Sequence, residues 1–235
     1  MRRYYGDRSP RRRRSWRTTA RATRSAYHHL VEEVEAAQAR RLPPGSHGIP
    51  ADVVARNQRE RLVAAIAEAC AEGGYAEASV AAVAKRAGVS SATFYKQFAD
   101  RRDCMLAAHR ALLGRLLEEV DRARQGEGGD EAGARTTLNV MLSLLAGDPP
   151  SARLLTVEIL AVGLEGSERH DAMVEALARR LSRAGDPDEA APVAVADWAR
   201  AAGILALVGK LVVAGEADRL PQLEDELVAM LSYRS

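Results

Sequence analysis

Between Ser79 and Arg101 the chain reads SVAAVAKRAGVSSATFYKQFADR, a stretch that sets hydroxyls and cations at helical spacing. Phe94 and Phe98 stand one helical turn apart and point to one side. At about 100° per residue the opposite side presents Ala92 and Lys96, flanked by Thr93 and Tyr95. Apolar inside, and small, hydroxyl and cationic outside, is the chemistry of a helix that lies in a DNA major groove. The segment before it carries Val80, Val83, Ala84 and Ala87, an apolar face at i, i+3, i+4 and i+7. Ser79 supplies an N-cap for that helix, Gly88 a left-handed C-terminal stop, and Ser90 an N-cap for the next one.

No comparable constellation occurs elsewhere. The chain has no Gly-x-Ser-x-Gly elbow, no His-Glu-x-x-His, no Cys-x-x-Cys and no phosphate loop. His47, His109 and His170 are scattered singly and are expected on loops or exposed helix faces. Glu118-Glu119 and Asp186/Asp188 read as solvated surface. Cys70 and Cys104 lack metal-ligand spacing and read as reduced core thiols, with a redox-sensing pair as the rival reading. No catalytic residue, metal or cofactor is expected.

The elements that must position the hairpin flank it on both sides. Arg59 to Tyr75 is an amphipathic helix with Leu62, Val63, Ile66, Ala69 and Cys70 on one face, ending in Gly73-Gly74. After Phe98 come Ala99, Asp100, Arg101 and Arg102, then a new helix from about Asp103. A three-helix domain therefore spans residues 51–102. This segment resembles the N-terminal domain of the TetR family of bacterial transcriptional regulators. The resemblance rests on Gly74-Tyr75, Ser79-Val80, Val83-Ala84, Ala87-Gly88-Val89-Ser90, Thr93-Phe94-Tyr95, Phe98 and Arg101, about fifty residues in order. Gln97 stands where the family commonly has histidine.

The resemblance implies a homodimer on a double-stranded DNA operator, with an α-helical ligand-binding and dimerisation domain. By role, it implies that Ser79 and Thr93 give hydroxyls to phosphates, and that Tyr95 sets its phenol on the backbone. Lys96 and Ser91 are the candidates for base edges, Ala92 for a thymine methyl, and Arg101 for a phosphate clamp.

Nearly half of the 235 residues are hydrophobic but only 4% are aromatic, so Ala and Leu carry the apolar content and close-packed helices are favoured over strands. The net charge of +2 hides an asymmetry. Residues 1–42 hold twelve Arg and four acids, a net of +8; residues 51–102 a net of +2; residues 103–235 a net of −8. Only the N-terminal half is suited to face phosphates. Residues 1–50 read as a basic arm and linker: RRRR at 11–14 favours disorder, 25–42 admits one short helix with His28 and His29 on its solvated surface, and Pro43-Pro44-Gly45 ends it. The arm admits three readings: added phosphate or minor-groove contacts, a solvated tail without a role, or an over-extended gene start. No secretory signal or membrane span is expected. The charge-free run Ala201 to Gly209 is nine residues where a span needs about twenty, so a cytoplasmic protein is expected.

Beyond the first domain, helices are predicted over 103–124, 131–146, 150–163, 168–183, 190–214 and 219–232, separated by Gly- and Pro-bearing breaks. The fold class is therefore all-α: a three-helix helix-turn-helix domain followed by a six-helix domain over 103–235. The 190–214 helix is apolar nearly all round, with Gly203 and Gly209 leaving room for close approach, and the last helix has a one-sided stripe of Leu220, Leu223, Leu227, Met230 and Leu231. Together they suit a four-helix dimer interface, although both could instead complete the core of one subunit. For a small-molecule ligand the candidate polar residues are Asn139, Glu158 and Trp198. Glu158, within LLTVEILAV, needs a cationic partner: Arg153, Arg200 or a guest.

The expected function is a dimeric, sequence-specific DNA-binding transcriptional regulator, a repressor released by a small-molecule ligand. Two rivals stand beside it: a helical small-molecule-binding protein or enzyme with a purely structural hairpin, and a non-specific nucleic-acid binder acting through the Arg-rich arm.

Overall fold

Gly74 breaks the first helix, and the break shapes how the two halves of the chain meet. In a computed structural model that describes residues 50–125, 131–182 and 192–232, helix α1 runs Ala51–Glu77 but leaves helical geometry at Gly74, with φ 77° and ψ 169°. That conformation is open to glycine and strained for any residue with a Cβ. Helix α2 (Val80–Ala87) and helix α3 (Ser91–Gln97) follow, joined through Gly88 at φ 64°. The expected caps are in place: Ser79 Oγ accepts from the Ala82 N–H at 3.2 Å and Ser90 Oγ from the Thr93 N–H at 3.0 Å. Helix α4 spans Arg101–Ala123, two residues earlier than the sequence suggests. It starts there because Asp100 caps the Asp103 N–H at 2.8 Å while the Asp103 carboxylate takes the Ala99 N–H at 3.1 Å. This reciprocal pair satisfies donors that a helix start leaves free.

The rest of the described chain is helical too: α5 (Glu131–Gly147), α6 (Pro149–Thr156), a 3-10 turn at Glu158–Val162, α7 (Leu164–Leu181), α8 (Val195–Val213), a second 3-10 turn at Ala217–Leu223, and α9 (Glu224–Ser232). Among the described residues there are nine α-helices and no strand, three followed by six. Besides the starts of α1, α4 and α8, which fall at Ala51, Arg101 and Val195 rather than near 59, 103 and 190, three boundaries differ from the sequence reading. The predicted 150–163 helix breaks at Val157 and continues as a 3-10 turn. The predicted 168–183 helix begins at Leu164, because Gly166 is not a breaker. It lies inside α7, where an added Cβ would fall 2.0 Å from the Ile159 carbonyl oxygen. The predicted 219–232 helix is split, its first part a 3-10 turn through Pro221. The short helix read at 25–42, the arm with His28 and His29, His47, Asp186, Asp188 and the break at Gly185-Asp186-Pro187 lie outside the described residues.

Two apolar clusters form the interior. The first gathers Leu62, Ile66 and Cys70 of α1, Val83 and Ala87 of α2, Phe94 and Phe98, and Cys104, Met105 and Ala108 of α4, and it also takes in Leu154 and Ile159 from further along the chain. The second joins α5, α7, α8 and α9 through residues such as Leu138, Met141, Leu142, Met173, Leu177, Ile204, Leu205 and Leu227. Helix α4 contributes to both, with Leu116 in the second.

Along α8 the subunit itself buries one side and leaves the other open. Ile204, Leu205, Val208, Leu211 and Val212 enter the core of their own subunit, while Ala199, Gly203, Ala206 and Lys210 face outward with Val195 and Val213 exposed. The two glycines part company. Gly209 packs inside the subunit, where a Cβ would lie 3.1 Å from Val157 Cγ2; Gly203 faces open space.

Candidate nucleic-acid interface

The exposed face of α3 is built on two phenylalanines. Phe94 and Phe98 are 0% and 2% exposed, with ring centroids 5.7 Å apart, and they fix which side of the helix looks outward. Burying two such rings is worth several kcal/mol, about 2 each, so the orientation is firmly set. Ser91, Ala92, Tyr95 and Lys96 are then all exposed, Tyr95 at 59%. The Tyr95 ring meets Phe94 edge to face at 5.6 Å, which steadies the phenol on an otherwise open surface. Thr93 is half-buried, and its Oγ1 lies 3.0 Å from Ser90 Oγ at the helix start.

Four arginines, drawn from three helices, hold backbone carbonyls of the first three helices. Arg59 Nη1 donates to the Gln97 carbonyl at 2.7 Å, at the end of α3, with its guanidinium 4.2 Å over the Phe98 ring. Arg61 donates to the Ala87 carbonyl at the end of α2. Arg101 donates to the Ala76 carbonyl at 2.9 Å and lies 4.1 Å over the Tyr75 ring. Arg153 donates to the Ala71 carbonyl at 3.1 Å. A cation at a helix C-terminus satisfies an orphan carbonyl and the negative end of the dipole together. Arg86 ties α2 to α1 through Glu68, at 3.2 Å, and Glu72.

The sequence-selected residues thus fall into two groups. Ser91, Ala92, Tyr95 and Lys96 share one exposed face, with Ser79 exposed at the start of α2. Thr93 is tied to Ser90, and Arg101 is engaged with Ala76 and Tyr75. The capping role of Arg59, Arg61 and Arg153 is invisible to sequence pattern, because each partner carbonyl belongs to another helix.

The three ligand candidates are not brought together. Asn139, on α5, donates to Glu224 of α9 at 2.7 Å. Glu158, 6% exposed, finds the internal partner Arg153 at 2.7 Å and also accepts the Tyr75 N–H at 2.7 Å. Trp198 is 40% exposed near the start of α8. An open cleft of about 570 Å³ lies instead between α4 and α7, lined by Arg102, Leu164, Glu165, Glu168, Arg169 and Ala172. Arg102 and Glu165 are paired there at 2.6 Å.

His109 corrects a further expectation. It is not on an exposed face: it is 1% exposed on α4, its Nε2 has no hydrogen-bond partner among the described residues, and burial pushes its pKa down to about 4, with His170 and Arg169 adding to the shift. Cys70 and Cys104 are both fully buried, and burial pushes each thiol up to about 12, which leaves them unreactive as thiolates. No group of described residues has the makings of a metal site, and no helix among them is long and apolar enough to cross a membrane.

Residues 62–108 match the sequence model of a family described as bacterial regulatory proteins, tetR family. The chain is 27% identical over 105 residues to the fatty acid metabolism regulator protein of Bacillus subtilis, covering 45% of this chain and 54% of that one. It is 40% identical over 73 residues to the HTH-type transcriptional regulator BetI of Stenotrophomonas maltophilia, covering 31% and 37%. The chain therefore spans about half or less of the length of these two relatives. In three dimensions it is similar to FadR of Bacillus subtilis, solved in complex with stearoyl-CoA, with a TM-score of 0.61 at 21% identity over 73% of this chain and 96% of that one. This likeness establishes the fold: an N-terminal helix-turn-helix followed by a helical C-terminal part.

Proposed function

We propose that this chain, which carries a TetR-family N-terminal domain matched over residues 62–108, is a homodimeric transcriptional regulator that binds a double-stranded DNA operator. The observation that carries the reading is the exposed Ser91, Ala92, Tyr95 and Lys96 face of α3, held outward by buried Phe94 and Phe98. In it, residues 51–102 read DNA and residues 103–235 bind ligand and dimerise. Lys96 and Ser91 address base edges and Ala92 a thymine methyl. Tyr95, Ser79 and Thr93 address the backbone, as does Arg101 through donors left over from Ala76.

Two recognition helices must sit about one DNA turn apart, or a small multiple, which requires a second subunit. The outward face of α8, small at Ala199, Gly203 and Ala206 and rimmed by Val195 and Val213, supports that assembly. A small-molecule ligand releases the operator by its difference in affinity for two spacings of the dimer. The stearoyl-CoA of the Bacillus subtilis structure supports the ligand's existence and leaves its chemistry open. The protein is proposed to be a repressor, to perform no catalysis, and to work in the cytoplasm where its DNA is.

Enrichment of randomised duplexes on the intact chain tests this. Recovery of a two-fold site that still outcompetes random duplex at raised salt supports the regulator. Binding that is equal on all duplexes and lost with salt supports the non-specific arm instead.

A further inference from the structure

We infer that Arg59 is the positioning residue for the recognition helix: a cation from α1 that sets the pose of α3 without touching DNA. The inference deepens the proposed function and rests on it.

Helix α3 has only seven residues, too few to be stable by itself. Its pose comes from what grips it. Its N-terminus is held by Ser90, and its buried side by Phe94 and Phe98. Phe98 lies at the C-terminal limit, where the backbone turns extended at φ −141° and ψ 140°. At that end one guanidinium makes two contacts at once. It donates to the Gln97 carbonyl at 2.7 Å and covers the Phe98 ring at 4.2 Å. The planar fork of arginine can do both, while a lysine ammonium offers only a point charge. Since Gln97 directly follows Lys96, the grip lies one residue from a proposed base-reading side chain. Displacement by an ångström there is enough to spoil a hydrogen bond to a base edge, whose donor and acceptor tolerate only a few tenths.

A residue that positions and a residue that contacts phosphate predict different salt behaviour. Losing a phosphate contact lowers the slope of log K against log salt by about 0.9 and weakens all duplexes alike. Losing a positioning contact leaves the slope and the random-duplex affinity intact and weakens only the selected site.

The test uses the full-length chain, the duplex enriched as above and a random duplex of equal length. Arg59→Met keeps an aliphatic stem over Phe98 and removes the charge and the donor. The expected result is a loss of about tenfold on the enriched duplex, no change on the random one and an unchanged salt slope. Arg59→Lys should recover only part of the loss. A slope reduced by about one with equal losses on both duplexes makes Arg59 a phosphate contact and overturns the inference. So does undiminished affinity for the enriched duplex, or an Arg59→Met chain that fails to fold, which assigns the residue to stability alone. Failure to enrich any duplex with the parent chain defeats the regulator reading itself and is distinct from all of these.

Discussion

Arg153 and Glu158 close a hydrogen-bond pair that α1 leaves open. An uninterrupted helix would pair the Ala71 carbonyl with the Tyr75 N–H; at the Gly74 break the carbonyl takes Arg153 Nη1 at 3.1 Å and the N–H gives to Glu158 Oε2 at 2.7 Å. The two side chains also hold each other at 2.7 Å. One ion pair from the α6 end of the chain thus stands in for a missing rung of α1, and Arg101 at the head of α4 covers Tyr75 beside it.

Glu158→Ala should therefore destabilise the fold well beyond a surface substitution. It strands the Tyr75 N–H and leaves Arg153, itself only partly exposed, without its carboxylate. A loss of about 2–4 kcal/mol is expected from breaking such a buried pair. Denaturant melts of the parent and the variant read it out; a change under about 0.5 kcal/mol would mean that water replaces the carboxylate at no cost.

On the recognition helix, Tyr95→Phe and Lys96→Ala should weaken binding to an enriched duplex while both proteins stay folded. Tyr95→Phe keeps the edge contact with Phe94 and removes only the hydroxyl, so its stability should stay within about 0.5 kcal/mol of the parent. Lys96→Ala should cost about 1–3 kcal/mol in binding and relax preference at one position of each half-site if it reads a base. Band-shift titrations against point-substituted duplexes separate the two. Parent-like affinity in both variants would move the reading surface elsewhere.

The subunit contact is best probed from the small side of α8. Gly203→Arg or Ala206→Glu puts a charged group on a face that is open among the described residues, so the fold should survive and the dimer should not. Leu205→Asp is the control: Leu205 is buried in its own subunit, and that change should unfold the protein. Sedimentation equilibrium on the first two variants decides; intact dimers would place the contact on another surface.

Acid should loosen the fold through His109. Its folded pKa, about 4, lies below the ordinary 6.5 because burial penalises the charged ring. Between these values the unfolded chain binds the extra proton, so stability is fully present above pH 6.5 and falls as the pH drops toward 4, by at most about 3 kcal/mol. His170, also lowered by burial, adds in the same direction. Thermal melts from pH 7.5 to 4.5 should slope less steeply for His109→Leu than for the parent; parallel curves would reject the assignment.

What the sequence made legible follows from locality. The hairpin, its N-caps Ser79 and Ser90, its stop at Gly88, and the inward pair Phe94 and Phe98 are each set by residues within about four positions, and the structure reproduces them. The breaks that failed were those whose cause lies elsewhere in the chain. Gly166 looks like a stop but is a close approach to Ile159, and Val157 looks helical but ends α6. Among the ligand candidates, the pull of a buried Glu158 toward a cation was legible, and the choice among Arg153, Arg200 and a guest was not. Asn139 gave no hint of Glu224, eighty-five residues away. The burial of His109 was not legible, because a lone histidine on a long amphipathic helix carries no local mark of its side.

Gly166 finally bears on how this protein can vary. Any side chain there must displace the Ile159 carbonyl, and Ile159 adjoins the glutamate that grips the broken rung of α1. A substitution at position 166 would therefore act as a wedge, prising the 3-10 turn from α7 and delivering its displacement to the opposite half of the chain. Altered DNA affinity would then arise from a residue outside the exposed α3 face, and the room to vary at position 166 is closed by a single missing methyl.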